Sequence, residues 1–138
     1  MEQSGSACNS RNFIMVVDDN HVIADTLQAV LRTAGFEVEV FYEASSALQH
    51  AHACPPQVLL SDIMMPGIDG LALADLLSAQ HPRCQVILMS GNSAVLGDCR
   101  SKTTRYRFIE KPVRPQTLIS LLRATTHKPH AVALQQAV

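Results

Sequence analysis

Short apolar runs alternate with helical periodicities along the 138-residue chain. Nearly continuous apolar runs at residues 13–17, 57–61 and 85–90 predict strands that are buried on both faces. Residues 37–42 alternate polar and apolar side chains, which is typical of a half-covered edge strand. Residues 106–110 predict the last strand, so the chain contains five candidate strands.

Apolar positions at helical spacing separate these strands and predict helices at residues 20–34, 45–53, 71–80 and 115–125. Gly35 is a natural stop for the first of them. The segment 94–105 has little apolar periodicity, so any helix there is expected to be short or loose. Three leucines of the helix at 71–80 are predicted to face inward: Leu73, Leu76 and Leu77.

Strands that alternate with helices predict an α/β fold, in which a doubly wound parallel sheet carries helices on both faces. The length fits one domain with a substantial core. We assign residues 12–125 to this domain, residues 1–11 to a flexible N-terminal tail and residues 126–138 to a C-terminal tail.

Composition argues against several functions. The formal net charge is −1, and the chain has no Trp, two Tyr and four Phe, which disfavours a nucleic-acid surface or a polybasic membrane patch. No apolar run reaches transmembrane length, and residues 1–12 lack the apolar core of a secretory signal. We therefore expect a cytoplasmic protein that binds neither nucleic acid nor membranes.

Acidic side chains follow two of the buried strands. Asp18 and Asp19 come directly after the run at 13–17, and Asp62 follows the run at 57–61. Parallel strands end at the same edge of a sheet, where α/β proteins hold ligands. Because clustered carboxylates resist ionising together, a divalent cation such as Mg²⁺ would stabilise them. Lys111, after the last strand, adds a cation suited to binding a phosphoryl group.

Four short motifs end four of the strands: Val17-Asp18-Asp19, Ser61-Asp62 with the following residues 63–70, Ser90-Gly91, and Glu110-Lys111-Pro112. In this order, over residues 12–125, the sequence resembles the receiver domain of two-component response regulators, in particular the stand-alone chemotaxis-type regulator. The resemblance implies a flavodoxin-like (β/α)5 fold with a five-stranded sheet in the order 2-1-3-4-5.

The resemblance also implies site roles. Asp62 would be the phosphoacceptor, a carboxylate nucleophile. Asp19 and Asp62 would bind Mg²⁺ directly, Asp18 would act mainly through water, and the backbone carbonyl of Met64 would complete the protein ligands. Lys111 would pair with a phosphoryl oxygen. A cis Lys111-Pro112 peptide would direct the lysine side chain into the site.

Ser90 and Phe108 are the implied switch residues. Ser90 would donate a hydrogen bond to the phosphoryl group, and Phe108 would turn inward into the space that Ser90 leaves. A core role without switching is the alternative for Phe108. The implied donor is a sensor histidine kinase or a histidine phosphotransfer protein, and the downstream partner is an unknown protein. The resemblance describes a signalling receiver rather than an enzyme.

Other functions remain open. The chain could pass its phosphoryl group onward as a phosphorelay shuttle. A Mg²⁺-dependent phosphatase with an aspartyl nucleophile would also use acids and a lysine. Such enzymes, however, are expected to have a D-x-D arrangement on the first strand and a substrate cap. A flavin carrier would need a phosphate loop where Asp18 and Asp19 stand. One cationic cluster forms either a binding patch or a solvated face: Arg100, Lys102, Arg105 and Arg107.

Overall fold

The computed structural model describes the backbone of residues 13–137 and the side chains of residues 13–126. Strands and helices alternate throughout. The strands are β1 (Phe13–Val17), β2 (Glu37–Phe41), β3 (Val58–Asp62), β4 (Gln85–Ser90) and β5 (Arg107–Glu110). The helices are α1 (His21–Thr33), α2 (Ala44–Ala53), α3 (Gly70–Gln80), α4 (Ser93–Lys102) and α5 (Pro115–Ala137).

The five strands form one parallel sheet in the order β2-β1-β3-β4-β5, as the resemblance implied. The order places β2 and β5 at the edges and β1 beside β3 at the centre. The register sets Val17 opposite Ser61 and Asp62 opposite Met89, so the carboxyl ends of the three central strands lie side by side.

Helices cover both faces of the sheet, because successive side chains of each strand point to opposite faces. Met15 of β1 joins the core under α2, α3 and α4, whereas Ile14 and Val16 join the core under α1 and α5. Both sets of side chains are fully buried in β1. This arrangement is the doubly wound α/β fold that the sequence predicted.

Helix ends follow local chemistry. Asn20 caps α1 by accepting a hydrogen bond from the Ile23 amide at 3.2 Å. Gly35 follows the end of α1 with a φ of 100°, a conformation that glycine adopts without strain. Asp69 caps α3 by accepting a hydrogen bond from the Ala72 amide at 2.8 Å.

Three local predictions need correction or extension. The segment expected to be short or loose contains a ten-residue helix, α4, because Asn92 caps it and Leu96 and Cys99 anchor it in the core. The prediction that Leu76 faces inward is wrong, since its side chain is 45% exposed while Leu77 is fully buried. Helix α5 continues to Ala137, beyond the helix predicted at 115–125. The predicted tail at residues 1–11 lies outside the described residues.

Candidate phosphoacceptor site

Three carboxylates meet at the carboxyl end of the sheet. Asp62 is the last residue of β3, and Asp18 and Asp19 follow β1. One carboxylate oxygen from each of the three lies within 4.8 Å of the others. The sequence predicted this cluster from the ends of two strands, and the adjacency of β1 and β3 brings it together.

Lys111 lies between two of these acids. Its Nζ is 2.8 Å from Asp18 Oδ2 and 3.1 Å from Asp62 Oδ1. The Lys111 amide donates to the Ser90 carbonyl at 2.9 Å, which fixes the segment after β5 against the end of β4. The Lys111-Pro112 peptide is cis, as expected from the resemblance. Lys111 therefore links β1, β3, β4 and β5 at one point.

Burial differs sharply among the three acids. The Asp18 side chain is fully buried, Asp62 is nearly so, and Asp19 is exposed. Asp18 is held by Lys111 and by the Asn20 amide, which donates to Asp18 Oδ1 at 3.0 Å. Among the described residues, Asp19 has no hydrogen-bond or ion-pair partner. The pocket thus exposes the carboxylate of Asp19 to solvent and keeps those of Asp18 and Asp62 buried.

The electrostatics of the pocket affect proton binding. Burial raises the pKa of Asp62 above its ordinary value, a hydrogen bond from Lys111 opposes the rise, and the charges of Asp18 and Asp19 add to it. Burial alone lowers the pKa of Lys111, but its bonds to Asp18 and Asp62 outweigh burial and leave that pKa raised. Lys111 is therefore positively charged, and the acids still carry excess negative charge.

The donor set fits Mg²⁺, because hard carboxylate oxygens on three side chains converge within a few ångströms. Asp19 is exposed at the pocket mouth, and Asp62 and Asp18 are buried behind it. Met64, whose carbonyl the resemblance assigns to the metal, follows β3 with a side chain that is 57% exposed. The assignment of individual ligands stays a prediction.

The predicted switch residues lie beside the site rather than within it. Ser90 ends β4 and is buried, and its Oγ accepts a hydrogen bond from the Asn92 amide at 3.0 Å. Phe108 pairs with Leu88 across β4 and β5, and its half-buried ring packs on the core under α2, α3 and α4. Neither side chain contacts Asp62 in this conformation through a hydrogen bond.

Sequence reasoning missed Gly70. A Cβ atom at this position would lie 2.1 Å from the Asp62 carbonyl oxygen, so only glycine allows α3 to begin directly under the loop that follows Asp62. The Gly70 amide also donates to the Ile63 carbonyl at 2.7 Å. A glycine that opens a helix after the acid-bearing strand is the one sequence signal that could have indicated this close approach.

Comparison with known proteins identifies the family. The family model described as the response regulator receiver domain matches residues 14–123. The chain belongs to the response-regulator receiver family.

The relatives share this domain within longer proteins. The DNA-binding transcriptional regulator NtrC of Escherichia coli K12 is 33% identical over 123 residues, covering 85% of this chain and 25% of NtrC. The transcriptional regulatory protein FixJ of Bradyrhizobium diazoefficiens is 28% identical over 130 residues, covering 94% of this chain and 63% of FixJ. The chain thus spans less than two thirds of these relatives.

Solved structures agree with the fold. The receiver domain of NtrX from Brucella abortus matches with a TM-score of 0.74 and 32% identity, covering 83% of this chain and 98% of that one. A CheY-like receiver domain protein from Methanospirillum hungatei JF-1 matches with a TM-score of 0.80 and 24% identity, covering 88% and 98%. The second likeness shows the fold alone.

Proposed function

We propose that the chain accepts a phosphoryl group on Asp62 from the phosphohistidine of a sensor kinase or phosphotransfer protein, and that the Mg²⁺-dependent modification switches a protein-binding surface. The ion pairs of Lys111 with Asp18 and Asp62, at 2.8 and 3.1 Å, carry the proposal. A lysine that pairs with two acids at the carboxyl ends of the strands can exchange one carboxylate partner for a phosphoryl oxygen.

The transfer requires little covalent chemistry from the protein. A carboxylate oxygen of Asp62 forms the new bond to phosphorus while the bond from phosphorus to the donor's imidazole nitrogen breaks, and that nitrogen keeps the electron pair. Lys111 pairs with a phosphoryl oxygen and limits the build-up of negative charge. Mg²⁺ held by Asp19 and Asp62, with Asp18 behind them, would neutralise charge on the phosphoryl oxygens.

The Ser90 hydrogen bond supports a switch. The Ser90 hydroxyl accepts from the Asn92 amide at 3.0 Å and keeps its own proton to donate to a phosphoryl oxygen once it moves toward Asp62. That movement changes the packing behind β4, where the half-buried Phe108 lies on the neighbouring strand. Phe108 then fills the vacated space, and the surface around α4 and β5 changes shape.

A cavity beside the acids suits the donor protein. It measures about 510 Å³, and Lys111 and Gly91 connect it to the site. Its outer wall is the start of α1, where Val22 is 74% exposed. An apolar, open cavity next to a phosphoacceptor favours a protein donor, because a small phosphate donor needs no such contact.

Three further properties of the chain are predicted: its independence of an output domain, its location and its non-enzymatic role. That the chain acts as a stand-alone receiver in the cytoplasm, and is a signalling module rather than an enzyme, stays a prediction. Among the described residues, no helix is long and apolar enough to cross a membrane. The relay shuttle differs from the switch in returning its phosphoryl group readily to a histidine.

The test is the intact mass of the protein after incubation with acetyl phosphate, with and without Mg²⁺. We expect a single phosphoryl-sized gain that needs Mg²⁺ and is lost in Asp62→Asn. Asp69→Asn is the matched control, because asparagine also caps a helix and residue 69 lies outside the acid cluster. A gain that persists in Asp62→Asn would contradict the proposal. Rapid return of the group to a phosphotransfer histidine would favour the shuttle.

A further inference from the structure

Charge is segregated across the sheet. Nine acidic residues lie between residues 13 and 75, against Arg32 as the one cation of that stretch. Eight cations lie between residues 83 and 126: Arg83, Arg100, Lys102, Arg105, Arg107, Lys111, Arg114 and Arg123. Only Asp98 and Glu110 oppose them. Because the first stretch builds β1, β2 and β3 and the second builds β4 and β5, most acids lie toward β2 and most cations lie toward β5. Two residues are exceptions: Asp75 accepts a hydrogen bond from Tyr106 on the β5 side, and Arg123 donates to the Ala34 carbonyl after α1.

The basic side has a distinct centre, which we call the basic surface. It consists of four exposed side chains around the end of α4 and the start of β5: Arg100, Lys102, Arg105 and Arg107. Arg105 lies over the Tyr106 ring at 5.4 Å. Asp98 neutralises Lys102 at 3.2 Å, but both side chains are 63% exposed, so this pair holds little energy. Most of the positive charge is therefore open to a partner.

These cations flank an edge strand from both faces. Phe108 points toward the core under α4, so its neighbour Arg107 points to the opposite face of the sheet. Arg100 Nη2 donates to the Phe108 carbonyl at 3.0 Å and thereby occupies an edge acceptor of β5. A partner strand that paired with β5 would have to displace this bond. The geometry favours recognition through side-chain charge rather than strand addition.

We propose that the basic surface binds an acidic segment of the downstream partner protein. Arginine guanidinium groups bind carboxylates through paired hydrogen bonds, and three of the four cations are arginines. This inference rests on the proposed function for its regulation: Phe108 carries the backbone carbonyl that Arg100 holds, so a shift of the β5 backbone that accompanies the turn of the Phe108 ring repositions Arg100. Phosphorylation at Asp62 thus changes the arrangement of the same cations that contact the partner.

The probe is a dye-labelled peptide of alternating Glu and Ser, compared with its counterpart that has Lys in place of Glu. Fluorescence anisotropy near physiological salt reports binding to the full chain, with and without acetyl phosphate and Mg²⁺. We expect the acidic peptide alone to bind, and Arg107→Glu to weaken it by about fivefold or more. Arg32→Glu is the matched control, because Arg32 is an exposed arginine beside β2, at the opposite edge of the sheet, and the substitution makes the same charge change.

The proposal of an acidic partner and the proposal of phosphorylation at Asp62 are tested by different outcomes. Equal binding by Arg107→Glu and Arg32→Glu, or equal binding of the two peptides, overturns the proposal of an acidic partner. Salt-dependent self-association in sedimentation, lost in Arg107→Glu, also overturns it, because the acidic side of a second copy would then occupy the surface. Intact mass measured on the same samples reports phosphorylation independently. Binding that depends on Arg107 but is unaffected by a confirmed phosphoryl group would remove only the regulatory coupling.

Discussion

Removing the Lys111 ammonium should destabilise the folded protein far more than removing an exposed lysine. With an effective dielectric constant of about 20, Coulomb's law gives roughly 6 kcal/mol for its contact with Asp18 at 2.8 Å and roughly 5 kcal/mol for Asp62 at 3.1 Å. The cost of keeping the ammonium out of water offsets part of this. We therefore expect Lys111→Met to lower the free energy of unfolding by about 3 kcal/mol, which is the scale for breaking a buried pair.

The loss follows from what remains in the pocket. Asp18 is fully buried and, without Lys111, keeps only the Asn20 amide as a hydrogen-bond donor to its carboxylate among the described residues. Removing the cation removes the Lys111 hydrogen bond that holds down the pKa of Asp62 in the folded state. Raised acid pKa values in the folded state cost stability above those values, so the loss should shrink as pH falls. Added Mg²⁺ should restore more stability to the variant than to the parent protein.

Urea unfolding followed by far-ultraviolet circular dichroism measures the effect, because the chain has no Trp for fluorescence. Lys102→Met is the matched control, since that lysine pairs with Asp98 while both side chains are 63% exposed. Its change should stay below about 1 kcal/mol. Similar, small losses in both variants would refute the reasoning that a buried ionic bridge holds the strand ends together.

Three further outcomes are expected. Gly70→Ala should impair phosphorylation and folding, because its Cβ would meet the Asp62 carbonyl at 2.1 Å, whereas Gly97→Ala on the open face of α4 should raise the unfolding free energy by roughly 0.5–1 kcal/mol. In urea unfolding, Leu77→Ala should cost about 3 kcal/mol, and the half-exposed Leu76→Ala under about 1 kcal/mol; equal losses would contradict the observed burial. Because the folded-state pKa of Asp62 is raised, its ionisation costs stability above that pKa, and the cost disappears as pH falls through it. Asp62→Asn should therefore unfold at higher urea than the parent at pH 7, with a smaller difference at pH 5.

Sequence by itself determined the elements and the chemical identity of the site. The continuous apolar runs of β1, β3 and β4 predicted a buried parallel sheet, because only strands covered on both faces lack polar alternation. The acids after β1 and β3 predicted a cation-binding cluster, and the motifs that end four strands identified the family. These features are local, so a reading of successive residues finds them.

Tertiary structure decided what depends on contacts between distant segments. Leu76 and Leu77 have the same chemistry and neighbouring positions, but α3 packs so that only one of them meets the core. Helix α4 forms despite its weak apolar pattern, because Asn92 caps it and the sheet receives Leu96. The burial of Asp18 and the space under Asp62 that admits only Gly70 both arise where strand ends, a loop and a helix converge. Such convergence is set by packing in three dimensions, which spacing along the chain does not specify.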